Sequence, residues 1–113
     1  MLILYCFSFI SSAQDTILLC GDLVSINVSR IDCNDSLGSI DITYINPGNT
    51  YWYEWYDTTG TNIFDTILST NKDYVDTSCG VYTLIVDDNN GPCDTISRWI
   101  GCPLTFGYGS DPI

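Results

Sequence analysis

The strongest constraint in this chain is a two-residue hydrophobic alternation that is broken repeatedly by turn residues. Val24, Ile26 and Val28 alternate with Ser25 and Asn27, and Ile40, Ile42 and Tyr44 alternate with Asp41 and Thr43. Such a period places one set of side chains on one face of an extended strand. Further strands are expected over Asp15 to Leu19, Thr50 to Tyr56, Thr61 to Leu68, Gly80 to Asp87 and Cys93 to Ile100, with Ser69 to Ser78 a polar connection. The punctuation is Cys20-Gly21-Asp22, Asn46-Pro47-Gly48-Asn49, Asp57-Thr58-Thr59-Gly60 and Asp88-Asn89-Asn90-Gly91. No segment carries the 3.6-residue period of a helix. About seven short strands with turns every 8–12 residues predict an all-β, antiparallel sandwich of the immunoglobulin kind.

At 113 residues the chain is of single-domain length. Three parts are expected: an apolar N-terminal segment over 1–14, a sandwich over 15–103 and a C-terminal tail over 104–113. The first begins MLILYCFSFISSA. It has the apolar run and the small-residue Ser-Ser-Ala end of a signal peptide but no preceding Lys or Arg, and it is too short to span a bilayer. The alternative reading is a retained β-strand. Leu2, Leu4, Phe7 and Phe9 would then need cover from a neighbouring surface, because a bare strand of this composition aggregates.

Six cysteines, Cys6, Cys20, Cys33, Cys79, Cys93 and Cys102, occur without any Cys-x-x-Cys spacing. That argues against zinc ribbons and redox motifs and for disulfides formed in an oxidising, extracellular setting. Six cysteines allow 15 pairings, and spacing does not choose among them. Thirteen Asp and one Glu against three Lys and Arg give a net charge of −11. Nucleic acid has the same sign and is excluded as a partner. The chain has no His, so the Ser-His and Cys-His nucleophile pairs and His metal sites are absent. No catalytic residues are expected, and the function sought is binding or structure.

Three stretches fall in a recognisable order: Cys33 to Ile42, Tyr51-Trp-Tyr-Glu-Trp-Tyr-Asp-Thr-Thr-Gly60, and Cys79-Gly-Val-Tyr-Thr-Leu-Ile-Val-Asp-Asp-Asn-Asn-Gly-Pro-Cys93. Over about residues 33 to 96 they resemble the immunoglobulin-like repeat (SprB-type, PKD-like) of Bacteroidetes cell-surface adhesins. The chain differs in having no tandem array, four further cysteines, and Pro92 ahead of the last Cys. The resemblance implies an extracellular fold used in adhesion or assembly, with Trp55 as the buried central Trp. It also implies a Cys33–Cys93 bridge. Cys20–Cys102 is then expected from their places beside the first and last strands, which leaves Cys6–Cys79.

Several surface features carry candidate function. Tyr51, Tyr53 and Trp55 share one face of their strand, so Trp52, Glu54 and Tyr56 share the other. Trp52 and Tyr56 on an outer face would suit a protein interface or a sugar-stacking platform. Five sites fit the Asp-[Ser/Thr]-apolar-or-Thr pattern that resembles the O-glycosylation sequon of Bacteroidetes, placing glycans on Thr16, Ser36, Thr58, Thr66 and Thr95. Chance gives about one such site at this composition. Asp87-Asp88-Asn89-Asn90 clusters oxygen donors of the kind Ca²⁺ accepts, although a plain hairpin turn explains it more simply; no other cofactor or metal site is expected. The function expected from these features is a secreted structural subunit of a filament or surface matrix, binding copies of itself by strand exchange. Leu2 to Ile10 would be the donor and Leu104 to Tyr108 the second choice. The alternative is a monomeric adhesin or carbohydrate-binding module.

Overall fold

A computed structural model describes residues 4–6, 12–31, 37–46, 48–60, 65–102 and 105–107. The described residues contain no helix. They form nine strands: β1 (Leu4–Cys6), β2 (Ser12–Leu19), β3 (Asp22–Ser29), β4 (Gly38–Tyr44), β5 (Trp52–Asp57), β6 (Tyr74–Asp76), β7 (Gly80–Asp88), β8 (Gly91–Ile100) and β9 (Thr105–Gly107). Seven of them make two antiparallel sheets, one in the order β2-β3-β4-β6 and the other β5-β7-β8. β1 pairs with β9 in a separate two-stranded ribbon. The orders β3-β4-β6 and β5-β7-β8 reproduce the A-B-E and C-F-G sheets of an immunoglobulin sandwich. β2 is an extra strand outside A.

The alternation seen in the sequence sets the register. Ile26 faces Ile42 and Val28 faces Ile40 across β3 and β4, while Trp55 faces Leu84 and Leu84 faces Ile96 across β5, β7 and β8. These inward residues meet those of the opposite sheet in one core that includes Val24, Ile26, Ile40, Ile42, Trp55, Tyr82, Leu84, Val86 and Ile100. Trp55 is fully buried on β5, and its indole N–H donates to the Asn71 carbonyl at 2.9 Å. That bond removes the cost of enclosing a polar N–H. The Tyr74 ring lies 5.3 Å from Trp55 and 4.9 Å from Tyr82, centroid to centroid. The Tyr82 hydroxyl donates to the Ser78 carbonyl, four residues upstream, at 2.6 Å. This contact is the tyrosine corner of immunoglobulin-like domains.

Two positions show why small or permissive residues occupy them. Any Cβ on Gly38 would overlap the side chain of buried Ile100. The β2–β3 turn places Cys20 at φ +52° and Gly21 at φ +87°, both left-handed. Consecutive left-handed residues match the twist of the flanking strands in a two-residue hairpin. The β7–β8 turn differs: only Gly91, at φ +107°, is left-handed there, and the register shifts between Val86 and Asp87.

The structure moves one strand. The described end of the expected strand over Thr61 to Leu68, residues 65–68, is not part of any strand, and Ile67 and Leu68 are exposed. The sheet takes Tyr74–Asp76 from the supposed polar connection, pairing it with Gly38–Ile40. Tyr74 supplies the inward aromatic that stacks on Trp55, and this long-range packing outweighs the local β-propensity of Ile67 and Leu68. β2 also starts at Ser12, earlier than the expected Asp15.

The bridges are corrected too. Cys20 bonds Cys93, and Cys79 bonds Cys102. The expected pairs Cys33–Cys93, Cys20–Cys102 and Cys6–Cys79 are therefore not formed. The Cys20 turn closes β2–β3 at the same end of the sandwich as the β7–β8 turn, so Cys93 is within reach and the bond ties one sheet to the other. Cys79 and Cys102 flank the Gly80–Ile100 register pair, so adjacent strands bring them together. Cys33 and the Cys6 side chain lie outside the described residues.

Candidate functional site

The outer face of the β5-β7-β8 sheet carries the candidate site. Alternation along β5 turns Trp55 inward and Trp52, Glu54 and Tyr56 outward. Trp52 is 51% exposed, whereas Tyr56 is half-buried. In register, Trp52 stands opposite Asp87, Glu54 opposite Ile85 and Tyr56 opposite Thr83. The Tyr56 phenol is held above its ordinary pKa by partial burial first, then by the charges of Glu54 and Asp87 and a hydrogen bond to Glu54. The expected pair Trp52 and Tyr56 is thus split: Tyr56 is committed to Glu54, and Trp52 stands open beside Asp87.

Trp52 borders a groove of about 440 Å³ lined by Tyr51, Tyr53, Glu54, Thr70 and Asp87. The tyrosines form its walls with their hydroxyls already engaged. Tyr51 donates to Asp22 Oδ2 at 2.6 Å, and Tyr53 shares a 2.8 Å bond with the Tyr44 hydroxyl. Burial raises the Tyr44 phenol well above the usual range, and it raises Tyr53 as well, against the lowering effect of the hydrogen bond to Tyr44. Asp87 is different. Its Oδ1 is buried and has no hydrogen-bond partner among the described residues. Alternation along β7, with Tyr82, Leu84 and Val86 inward, turns Asp87 outward beside Trp52, so the sequence period already separates Asp87 from Asp88; the extra residue at the register shift, Cys93, lies on β8.

Further down the same face, hydroxyls form a chain. Thr58 bonds Thr83 at 2.7 Å, and Thr83 bonds Ser97 at 2.6 Å. Thr58 is buried, so its hydroxyl is not a surface acceptor for a glycan, contrary to expectation. The order Asp57-Thr58-Thr59 has a structural cause instead: Asp57 Oδ1 accepts from the Thr59 N–H at 3.0 Å, an Asx turn. Asp76 and Ser78 repeat the device at 3.0 Å. Thr16, Thr66 and Thr95 are exposed, and Ser36 lies outside the described residues.

The remaining expected sites are dispersed. Leu2, Phe7 and Phe9 lie outside the described residues, as does the side chain of Leu4, whose backbone is in β1. Asp88 Oδ1 accepts from the Asn90 N–H at 2.7 Å and so serves the β7–β8 turn. Among the described residues, no three Cys, Asp or Glu side chains are placed to hold a metal ion. No helix among them is long and apolar enough to cross a membrane. Comparison of the chain with protein-family models, curated proteins and solved structures finds no match.

Proposed function

We propose that this chain is a secreted, non-catalytic structural subunit that joins copies of itself into an extracellular filament or matrix by adding β-strands across sheet edges. The observation that carries the reading is the β1–β9 ribbon. The two terminal strands pair with each other over three residues and belong to neither sheet. A two-stranded pairing this short is marginal in water, so exchanging it for a longer ladder costs little. The sandwich supplies such ladders: β2, eight residues long, and β8, ten residues long, are both outermost in their sheets. A long edge strand is a template for a further strand. Donation from one copy to the edge of the next is head-to-tail, and a contact of that kind propagates into a filament where its rotation does not close a ring.

The two disulfides support an oxidising, extracellular location. The lack of His and the single Glu support a role without catalysis. The resemblance to adhesin repeats supports assembly at a bacterial surface, and O-linked glycans fit the exposed Thr16, Thr66 and Thr95. The test is deletion of residues 1–11, which leaves β2 whole. The full chain should give polymers in negative-stain microscopy, and the truncated chain a folded monomer. A full chain that stays monomeric at high concentration, or a truncated chain that polymerises equally well, overturns the proposal.

A further inference from the structure

We propose that the groove beside Trp52 is a binding site for an uncharged sugar ring of a glycan. The proposal concerns a different surface from the assembly edges and stands independently of them. Its basis is the pairing of an open aromatic plane with an unmet hydrogen-bond acceptor. Trp52 and Asp87 are direct cross-strand partners, which puts their Cβ atoms about 5 Å apart on one face. Asp87 Oδ1 is buried at that position with no donor among the described residues. Asp87 itself lines the groove, and buried polar atoms in folded proteins are almost always satisfied, so its carboxylate has acceptor capacity that the described residues leave unused.

The backbone adds to the site. The Trp55 N–H donates to Ser69 O at 2.9 Å and the Leu68 N–H donates to Trp55 O at 2.8 Å, so the polar groups of Trp55 point away from β7. Alternation along an antiparallel ladder turns the N–H and C=O of Tyr53 the same way, toward the groove edge. The groove therefore sets one flat apolar surface beside a carboxylate, at a strand edge toward which the Tyr53 N–H and C=O are directed. A pyranose matches this set. Its axial C–H face is apolar and stacks on an indole, and its hydroxyls at the ring edge both donate and accept.

Charge narrows the class. Glu54 and Asp87 line the groove, Asp88 follows, and the chain carries −11 overall. Phosphorylated, sulfated and uronic-acid sugars would meet this field unfavourably. A neutral hexose or N-acetylhexosamine would not.

The test is titration of the intact, disulfide-bonded protein with neutral di- to tetrasaccharides of glucose, galactose, mannose and N-acetylglucosamine, read by tryptophan fluorescence and calorimetry. At least one series should saturate with Kd on the order of 1 mM or tighter, as expected for a small open site. Trp52→Ala and Asp87→Asn should each weaken it by about tenfold or more. Trp99→Ala should leave it unchanged, because Trp99 is 62% exposed but faces Val81 at the far end of the same sheet. Absence of saturation with every saccharide, or loss of binding in Trp99→Ala to the same degree as in Trp52→Ala, overturns the proposal. So does saturable binding of CaCl₂ alone that Asp87→Asn abolishes, which would make the groove a cation site.

Discussion

The two disulfides close loops of different length, and this difference predicts how much each contributes to stability. Cys20–Cys93 joins residues 73 apart, and Cys79–Cys102 joins residues 23 apart. Cross-linking stabilises chiefly by restricting the unfolded chain, and the restriction grows with the logarithm of loop length. The loop-entropy relation gives about 4.4 kcal/mol for the longer loop and about 3.4 kcal/mol for the shorter. The loops interlock, but a path through the second bridge shortens the longer loop only slightly, so each value is nearly independent of the other. Cys20→Ser/Cys93→Ser should therefore lose about 1 kcal/mol more than Cys79→Ser/Cys102→Ser. Partial burial of Cys20 and Cys93 against the core widens the gap, since Cys102 is exposed.

Urea unfolding followed by tryptophan fluorescence measures both losses, because Trp55 is fully buried in the native state. With an m-value of about 1.5 kcal/mol/M, the midpoints should fall by about 3 M and about 2 M. A domain of ordinary stability would be left close to its unfolding threshold by the first pair. If the 79–102 variant loses as much as the 20–93 variant, loop length is not what these bridges act through. Losses below about 1 kcal/mol in both variants would refute the loop-entropy account as well.

Two further outcomes are expected. Tyr82→Phe removes the bond to the Ser78 carbonyl and should cost about 1 kcal/mol, which lowers the melting temperature by roughly 4–8 °C; an unchanged melting temperature would show that the corner adds no stability. Stability should also fall at alkaline pH. Burial, followed by the charge of Asp76, pushes the Tyr82 phenol up to about 12. Tyr44 and Tyr74 are raised in the same direction, also chiefly by burial. A value raised on folding gives stability that is complete below the unfolded value, near 10, and is lost as pH climbs through the folded one. At the acid end, burial alone would raise Asp76. The Tyr74 hydroxyl and the Ser78 and Thr77 N–H groups outweigh it and lower the folded value. That contribution is present above about pH 4 and disappears as pH falls through the folded value. Melting curves from pH 2 to 12 should thus show a plateau with a fall on each side; a melting temperature that holds through pH 12 would contradict the tyrosine argument.

Alternation along the chain settled the class of fold and the inward face of each long strand. Val24, Ile26, Ile40, Ile42, Leu84 and Val86 are buried as their spacing requires, and Tyr51-Trp52-Tyr53 divides between faces by the same rule. These properties are local, because successive side chains of any extended strand point to opposite sides. Tertiary structure decided what depends on distance through space. It took Tyr74 in preference to Ile67 for the sheet, because Tyr74 stacks on Trp55. It paired Cys20 with Cys93 by bringing two hairpin turns to one end of the sandwich. It also hid the Thr58 hydroxyl against Thr83 and left Asp87 Oδ1, beside the groove, without a donor among the described residues. A period of two fixes which side a residue takes but not which distant residue meets it there, and the bridges and the groove both consist of such meetings.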